Sequence, residues 1–220
     1  VDVVTLDLKS WNEFCIIGKD TSKKLAAANS IMASIHHNVL SKPVEMYIID
    51  GVERQLKAKA DLGYVEKYTI DYSEIGTIFD SLMPELEKRH QLLMDGELDQ
   101  LAKCAQIIIL INNKDAVEYM SSTKEILEIY TRMVKQFKSL GIAFIFTDIE
   151  DVAVGYSGPE LLKKFKDSKK AIITSNLQEF KFCDLPSTAV RNNKTVNVGD
   201  VFLLDGSDVT RIKLAEEVRK

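Results

Sequence analysis

The 220 residues are 45% hydrophobic and 28% charged, the composition of a globular chain able to bury one sizeable core. A formal net charge of −4 gives no global basis for binding nucleic acid or anionic lipid, no apolar run approaches the roughly 18 residues of a membrane span, and no signal peptide is visible. Cys15, Cys104 and Cys183 are too dispersed for a metal or redox pair and read as reduced thiols, while His36, His37 and His90 lack metal-ligand spacing.

Taken in order, residues 1–11 alternate loosely at Val4, Leu6 and Leu8, so an edge strand or an incoming linker is expected there. The chain begins at Val1 rather than methionine, which suggests a piece of something longer. Residues 14–17 form an apolar run that ends at Gly18, passes through a polar loop and enters an alanine-rich helix over 25–36, with Leu25, Ala28, Met32 and Ile35 on one face. Pro43 breaks the chain, and 44–49 is a second apolar strand closing at Asp50-Gly51. A short helix over 54–60 and a strand over 64–70 follow. Residues 73–94 carry Ile75, Ile78, Phe79, Leu82, Leu86 and Leu93 at helical spacing, and Pro84 predicts a kink or break within them.

Residues 106–111 are an unbroken apolar run of the kind buried on both faces of a parallel sheet. Ser122-x-x-Glu125 reads as a capping box opening a helix whose apolar face is Ile126, Tyr130, Met133 and Phe137, with Gly141 at its stop. A buried strand over 142–146, a short helix opened by Pro159 and a strand over 171–174 come next. Residues 186–199 read as a polar loop, and 201–204 with 209–214 flank Asp205-Gly206-Ser207-Asp208 as a hairpin. Strands alternating with helices predict an α/β domain: a mostly parallel central sheet with helices on both faces and a C-terminal hairpin, as one domain over 1–220.

The run from Gly18 invites comparison with the phosphate-loop template G-x-x-x-x-G-K-[ST]. Gly18 fits its first glycine and Lys24 its lysine. Lys23 stands at the second glycine, where a β-carbon would cost about 1–2 kcal/mol if the position needs positive φ. Leu25 stands at the hydroxyl and offers no oxygen to Mg²⁺, and Asp20 puts a negative charge inside the loop. A weak, general anion site around Lys19, Lys24 and the helix end is one reading; a plain strand-to-helix turn that never holds nucleotide is the other.

A phosphate-loop ATPase also ends a later buried strand in acids that orient Mg²⁺ and activate water. Here the run 106–111 is followed by Asn112-Asn113, so amides stand where those acids are expected. An amide neither holds Mg²⁺ through charge nor acts as a general base near neutral pH. Asp115 lies beyond the strand end and substitutes only if the register slips.

These motifs, in this order, resemble motor domains of the FtsK/SpoIIIE class along nearly the whole chain. The stretch 14–28 is similar to that class's phosphate loop, Met46–Asp50 to its second strand, and Glu85–His90 to its acidic-basic helix. The stretch 106–113 is similar to its second nucleotide motif with the acids gone. Thr147-Asp148 resembles the strand end carrying its polar sensor, with Asp148 where glutamine is usual. Within the class, the pattern resembles the degenerate last of three tandem motor domains in the EccC-like coupling proteins of type VII secretion.

That resemblance implies a RecA-like P-loop NTPase fold and a vestigial loop at Gly18 and Lys24, with no catalytic residue, metal or cofactor in this domain. ATP and Mg²⁺ would then serve sibling domains of a membrane-anchored parent at the cytoplasmic face of the cell membrane. The implied partners are secreted helical-hairpin proteins and neighbouring motor domains. Three functions are weighed: a non-hydrolysing recognition or regulatory module, a weak ATPase, and a DNA translocase. The acidic balance opposes the last, since Glu160 and Asp167 dilute the lysine run 163–170.

Overall fold

The computed structural model describes residues 4–214. Its elements are β1 Glu13–Gly18, α1 Thr21–Asn38, β2 Val44–Asp50, β3 Val65–Thr69, α2 Ile75–Met94, α3 Leu98–Lys103, β4 Gln106–Asn112, α4 Lys114–Ser122, α5 Lys124–Lys135, β5 Ile142–Glu150, α6 Glu160–Ser168, β6 Lys170–Ile173, α7 Ser187–Asn192, β7 Asp200–Asp205 and β8 Asp208–Lys213. Helix and strand alternate through most of the chain as the apolar runs predict, but α3, α4 and α7 are additional, and α7 lies within the loop expected over 186–199.

Two compact units emerge. A core unit holds Leu6–Glu13 and Val39–Ile145, and a loop unit holds Phe14–Asn38 and the chain from Phe146 onward. In the core unit the strand order is β3-β2-β4-β5, with β2 parallel to both neighbours and in register with β4 from Val44↔Gln106 to Asp50↔Asn112. All seven β4 residues are buried, so both faces of the strand are covered, which accounts for its unbroken apolar run. Phe144 packs edge-to-face on Phe79 at 5.8 Å and on Tyr130 at 4.8 Å between ring centroids, and the Tyr130 hydroxyl bonds the buried Glu13 carboxylate. In the loop unit the order is β5-β1-β6-β7-β8: β1 and β6 are parallel, whereas β7 is antiparallel to both β6 and β8. Gly206, at φ +64°, turns the expected hairpin.

Several local expectations are revised. Residues 4–11 form no strand; Asp7 closes a turn there, accepting the Lys9 N–H on its side chain and the Trp11 N–H on its carbonyl. The part of that expectation on residues 1–3 lies outside the described residues. The helix expected over 54–60 shrinks to one 3₁₀ turn, Lys57–Lys59. α2 is not broken by Pro84, which sits on its exposed side, where the Asp80 carbonyl that loses its partner can meet water. The capping box does not form. Ser122 is the last residue of α4, its hydroxyl donates to the Tyr119 carbonyl at 3.1 Å, and Thr123 opens α5 without a side-chain cap. Gly141, at φ +77°, leads into β5 rather than ending α5, which stops at Lys135.

The motif Glu85–His90 has a structural occupation. Arg89 is 1% exposed and donates to the Glu85 carboxylate at 2.8 Å, the Ala105 carbonyl at 2.8 Å and the Leu140 carbonyl at 3.0 Å. One guanidinium therefore ties together the backbone just before β4 and just before β5.

Candidate functional site

From Phe14 onward the strand–loop–helix lies in the loop unit. Its loop is shorter than the motif predicts: only Lys19 and Asp20 separate β1 from α1, which begins at Thr21, four residues before the expected start. Lys23 is consequently in the first helical turn. Among the described residues only Arg54 and Lys169 are non-glycines with positive φ, so the cost anticipated for a β-carbon at Lys23 does not arise.

Asp20 explains the early start. Its Oδ1 accepts the N–H of Ser22 at 2.8 Å and of Lys23 at 3.3 Å, and its carbonyl accepts the Lys24 N–H at 3.1 Å. This is an N-cap, and it also sets a carboxylate against the positive end of a helix that opens with two lysines and no acid. The Lys19 N–H meets the Ser175 hydroxyl at 3.3 Å. The backbone N–H groups of Lys19, Ser22, Lys23 and Lys24 are thus engaged within the chain.

Gly18 is required by space. A β-carbon there would lie 1.9 Å from the Thr174 hydroxyl oxygen, which comes in from the end of β6. The close approach that a phosphate makes to such a glycine is taken here by a threonine side chain.

Lys24 departs most from the expected helix face. It joins Ala27, Ala28 and Met32 on the buried side of α1, while Leu25 is only half-buried. Its ammonium meets the Asp148 carboxylate of β5 at 2.7 Å, with the two side chains 4% and 24% exposed. Asp148 follows Thr147, which is fully buried. Spacing alone had no means of pairing residues 124 positions apart.

The amide pair lies wholly in the core unit. Asp50, at the end of β2, is 0% exposed and its carboxylate accepts four neutral donors: the Gly51 N–H at 2.9 Å, the Leu56 N–H at 2.8 Å, the Tyr68 hydroxyl at 2.8 Å and the Asn112 amide at 3.0 Å. Asn112 also reaches the Gln55 side chain at 3.2 Å. An acid at 112 would put two carboxylates in contact, so the amide is what this pairing requires. The Asn113 oxygen accepts the N–H groups of Asp115 at 3.0 Å and Ala116 at 3.2 Å, capping α4, and its NH₂ donates to the Asp50 carbonyl at 3.1 Å. β4 ends at Asn112, so no slip brings Asp115 to the strand end; it is exposed in the first turn of α4.

Burial and the adjoining Asp50 carboxylate push the Tyr68 hydroxyl up to about 12, with Arg54 pulling weakly the other way. Tyr68 and Gln55 belong to this network although neither stood out in the sequence. Their signal was positional only: Gln55 lies in the turn after β2, and Tyr68 lies on β3 opposite Ile48 of β2.

The loop offers its lysine already paired, Leu25 offers no oxygen, and the strand end offers amides in use. No cluster of three or more His, Cys, Asp or Glu suited to a metal occurs among the described residues. No helix among them is long and apolar enough to cross a membrane.

The strand, short turn and helix sit on a mostly parallel α/β sheet, a fold shared with P-loop ATPase-like domains of known structure. Among solved structures, the chain is similar to EssC (ATPases 2 and 3) from Geobacillus thermodenitrificans, with TM-score 0.70 and 18% identity over 96% of this chain and 38% of that one. It is similar also to the cytoplasmic domain of the Thermomonospora curvata type VII secretion ATPase EccC, with TM-score 0.68 and 14% identity over 98% and 25% of the two chains. A third is T. curvata EccC (ATPases 2 and 3) in complex with a signal sequence peptide, with TM-score 0.68 and 14% identity over 98% and 39%. The chain spans 25–39% of these solved chains, and at such identities the likeness is one of fold. The sequence matches no protein-family profile and no curated protein.

Proposed function

We propose that this chain is a non-hydrolysing ATPase-like domain of a type VII secretion motor, corresponding to the last motor domain of an EssC-type coupling protein. In this reading it recognises substrate, regulates neighbouring motor domains, or does both. The observation that carries it is the occupation of Asn112 and Asn113: one amide donates to buried Asp50 and the other caps α4. Residues at a strand end that would have to orient a cation and activate water are committed to holding the fold. The fold likeness to EssC and EccC supports the setting, and one of those EccC structures holds a signal sequence peptide.

By this reading the partners are secreted helical-hairpin proteins and sibling motor domains, with no nucleic acid. The domain itself needs no cofactor; ATP and Mg²⁺ belong to siblings. The parent protein is anchored in the membrane through parts outside this chain, and the domain works at the cytoplasmic face.

Titrating Mg·ATP by calorimetry and thermal shift tests this. Ligand linkage predicts an unchanged melting temperature at about millimolar nucleotide if nothing binds. A rise of several degrees together with phosphate release that disappears in Lys24→Ala would sink the proposal and favour a weak ATPase.

A further inference from the structure

The buried lysine of the loop unit raises a separate question: why a chain with a phosphate-loop lysine in place would hold no phosphate. We propose that Asp148 is the specificity-determining residue of this loop, a built-in anion that occupies Lys24 and shuts out polyphosphates. The inference rests on the non-hydrolysing reading and adds the residue responsible for exclusion.

Three observations converge. The Lys24 side chain is only 4% exposed, so its ammonium is withdrawn from solvent, and its Nζ is 2.7 Å from Asp148 Oδ1. Asp148 is 24% exposed, so the pair opens toward water on the carboxylate's side; an arriving anion therefore meets Asp148 first. Asp148 also sits on a β-strand whose neighbouring residues Thr147 and Ile149 are buried, which fixes its backbone. Displacing the carboxylate would leave it partly buried without its cation and beside a second negative charge. The amides Asn112 and Asn113 play no part in this exclusion, so binding and hydrolysis are separable.

The separation gives the test. Inorganic triphosphate, without Mg²⁺, is titrated by calorimetry into the wild-type chain, Asp148→Asn and Asp148→Asn/Lys24→Met, with Mg·ATP turnover assayed in parallel. Asn keeps an oxygen for the lysine while removing the charge. The expected result is no measurable heat for wild type up to about 1 mM, a gain of about tenfold or more in affinity for Asp148→Asn, and loss of that gain in the double variant. No variant should acquire turnover. Folded Asp148→Asn that binds no better than wild type overturns the assignment of exclusion to Asp148 and leaves the non-hydrolysing reading standing. Wild-type turnover overturns that reading instead.

Should Asp148→Asn fail to fold, the wild type still decides the matter through acetylation followed by mass spectrometry. Lys24 should resist modification while exposed Lys23 reacts. A Lys24 acetylated as fast as Lys23 is available to ligands and overturns the proposal.

Discussion

Lys24 in the loop unit and Asp50 in the core unit are both charged, both nearly inaccessible, and both close to a strand end, yet they are accommodated by opposite means. Lys24 has one partner of opposite charge, Asp148, at 2.7 Å. Asp50 has four neutral donors, two of them backbone N–H groups. An ion pair concentrates the compensation in one contact, which a single substitution removes. A set of dipoles spreads it over several segments, so losing any one donor is tolerable but losing the carboxylate strands them all. One substitution at Asp148 therefore leaves Lys24 without its opposite charge, whereas an acid at Asn112 would meet the buried Asp50 carboxylate.

The sharpest break is Asp50→Ala. It leaves the Leu56 and Gly51 N–H groups, the Tyr68 hydroxyl and the Asn112 amide without their acceptor, and about 3–5 kcal/mol of stability should be lost in urea denaturation. A loss under about 1 kcal/mol would mean that these donors rearrange freely.

Asp148→Ala comes next, at about 2–4 kcal/mol, the lower part of that range reflecting the carboxylate's partial exposure. Lys24→Met should cost less than Asp148→Ala, because it removes the buried charge along with its partner's task. Equal losses from the two would contradict the asymmetry seen in their burial.

Gly18→Ala should cost about 1–3 kcal/mol through collision with the Thr174 hydroxyl, and Thr174→Ala in the same chain should recover part of it. Without recovery, the demand for glycine would come from somewhere other than Thr174.

The smallest effect is Tyr68→Phe, about 1 kcal/mol near neutral pH. Its signature is alkaline. The folded chain keeps the Tyr68 proton up to about 12, while the unfolded chain releases it near 10.0. The hydroxyl's contribution is therefore full below the unfolded value and falls away as pH rises through the folded one. Ultraviolet titration of Tyr68→Phe should lack a late-ionising phenol that the wild type shows, and its stability should decline less over that window. Identical titrations would place Tyr68 outside the Asp50 network.

Most strands, the hairpin and the order of motifs were legible in the sequence, because a strand buried on both faces must be apolar through its interior, as in Ile107–Ile111 of β4. The sequence also displayed which polar residues stand in the loop and at the strand end. What those residues do instead came only with the tertiary structure. Asp20 decides where α1 begins, and its bonds are local, yet a repulsive charge in a loop and an N-cap look alike in one dimension. Asn112 and Asp50 meet because parallel pairing brings Asp50 opposite Asn112 across 62 positions of chain. Lys24 and Asp148 meet across 124, and Gly18 and Thr174 across a parallel β1–β6 pair. Pairings over such distances depend on which strands become neighbours, a decision made by burial of the whole sheet and left unmarked by any residue's local context.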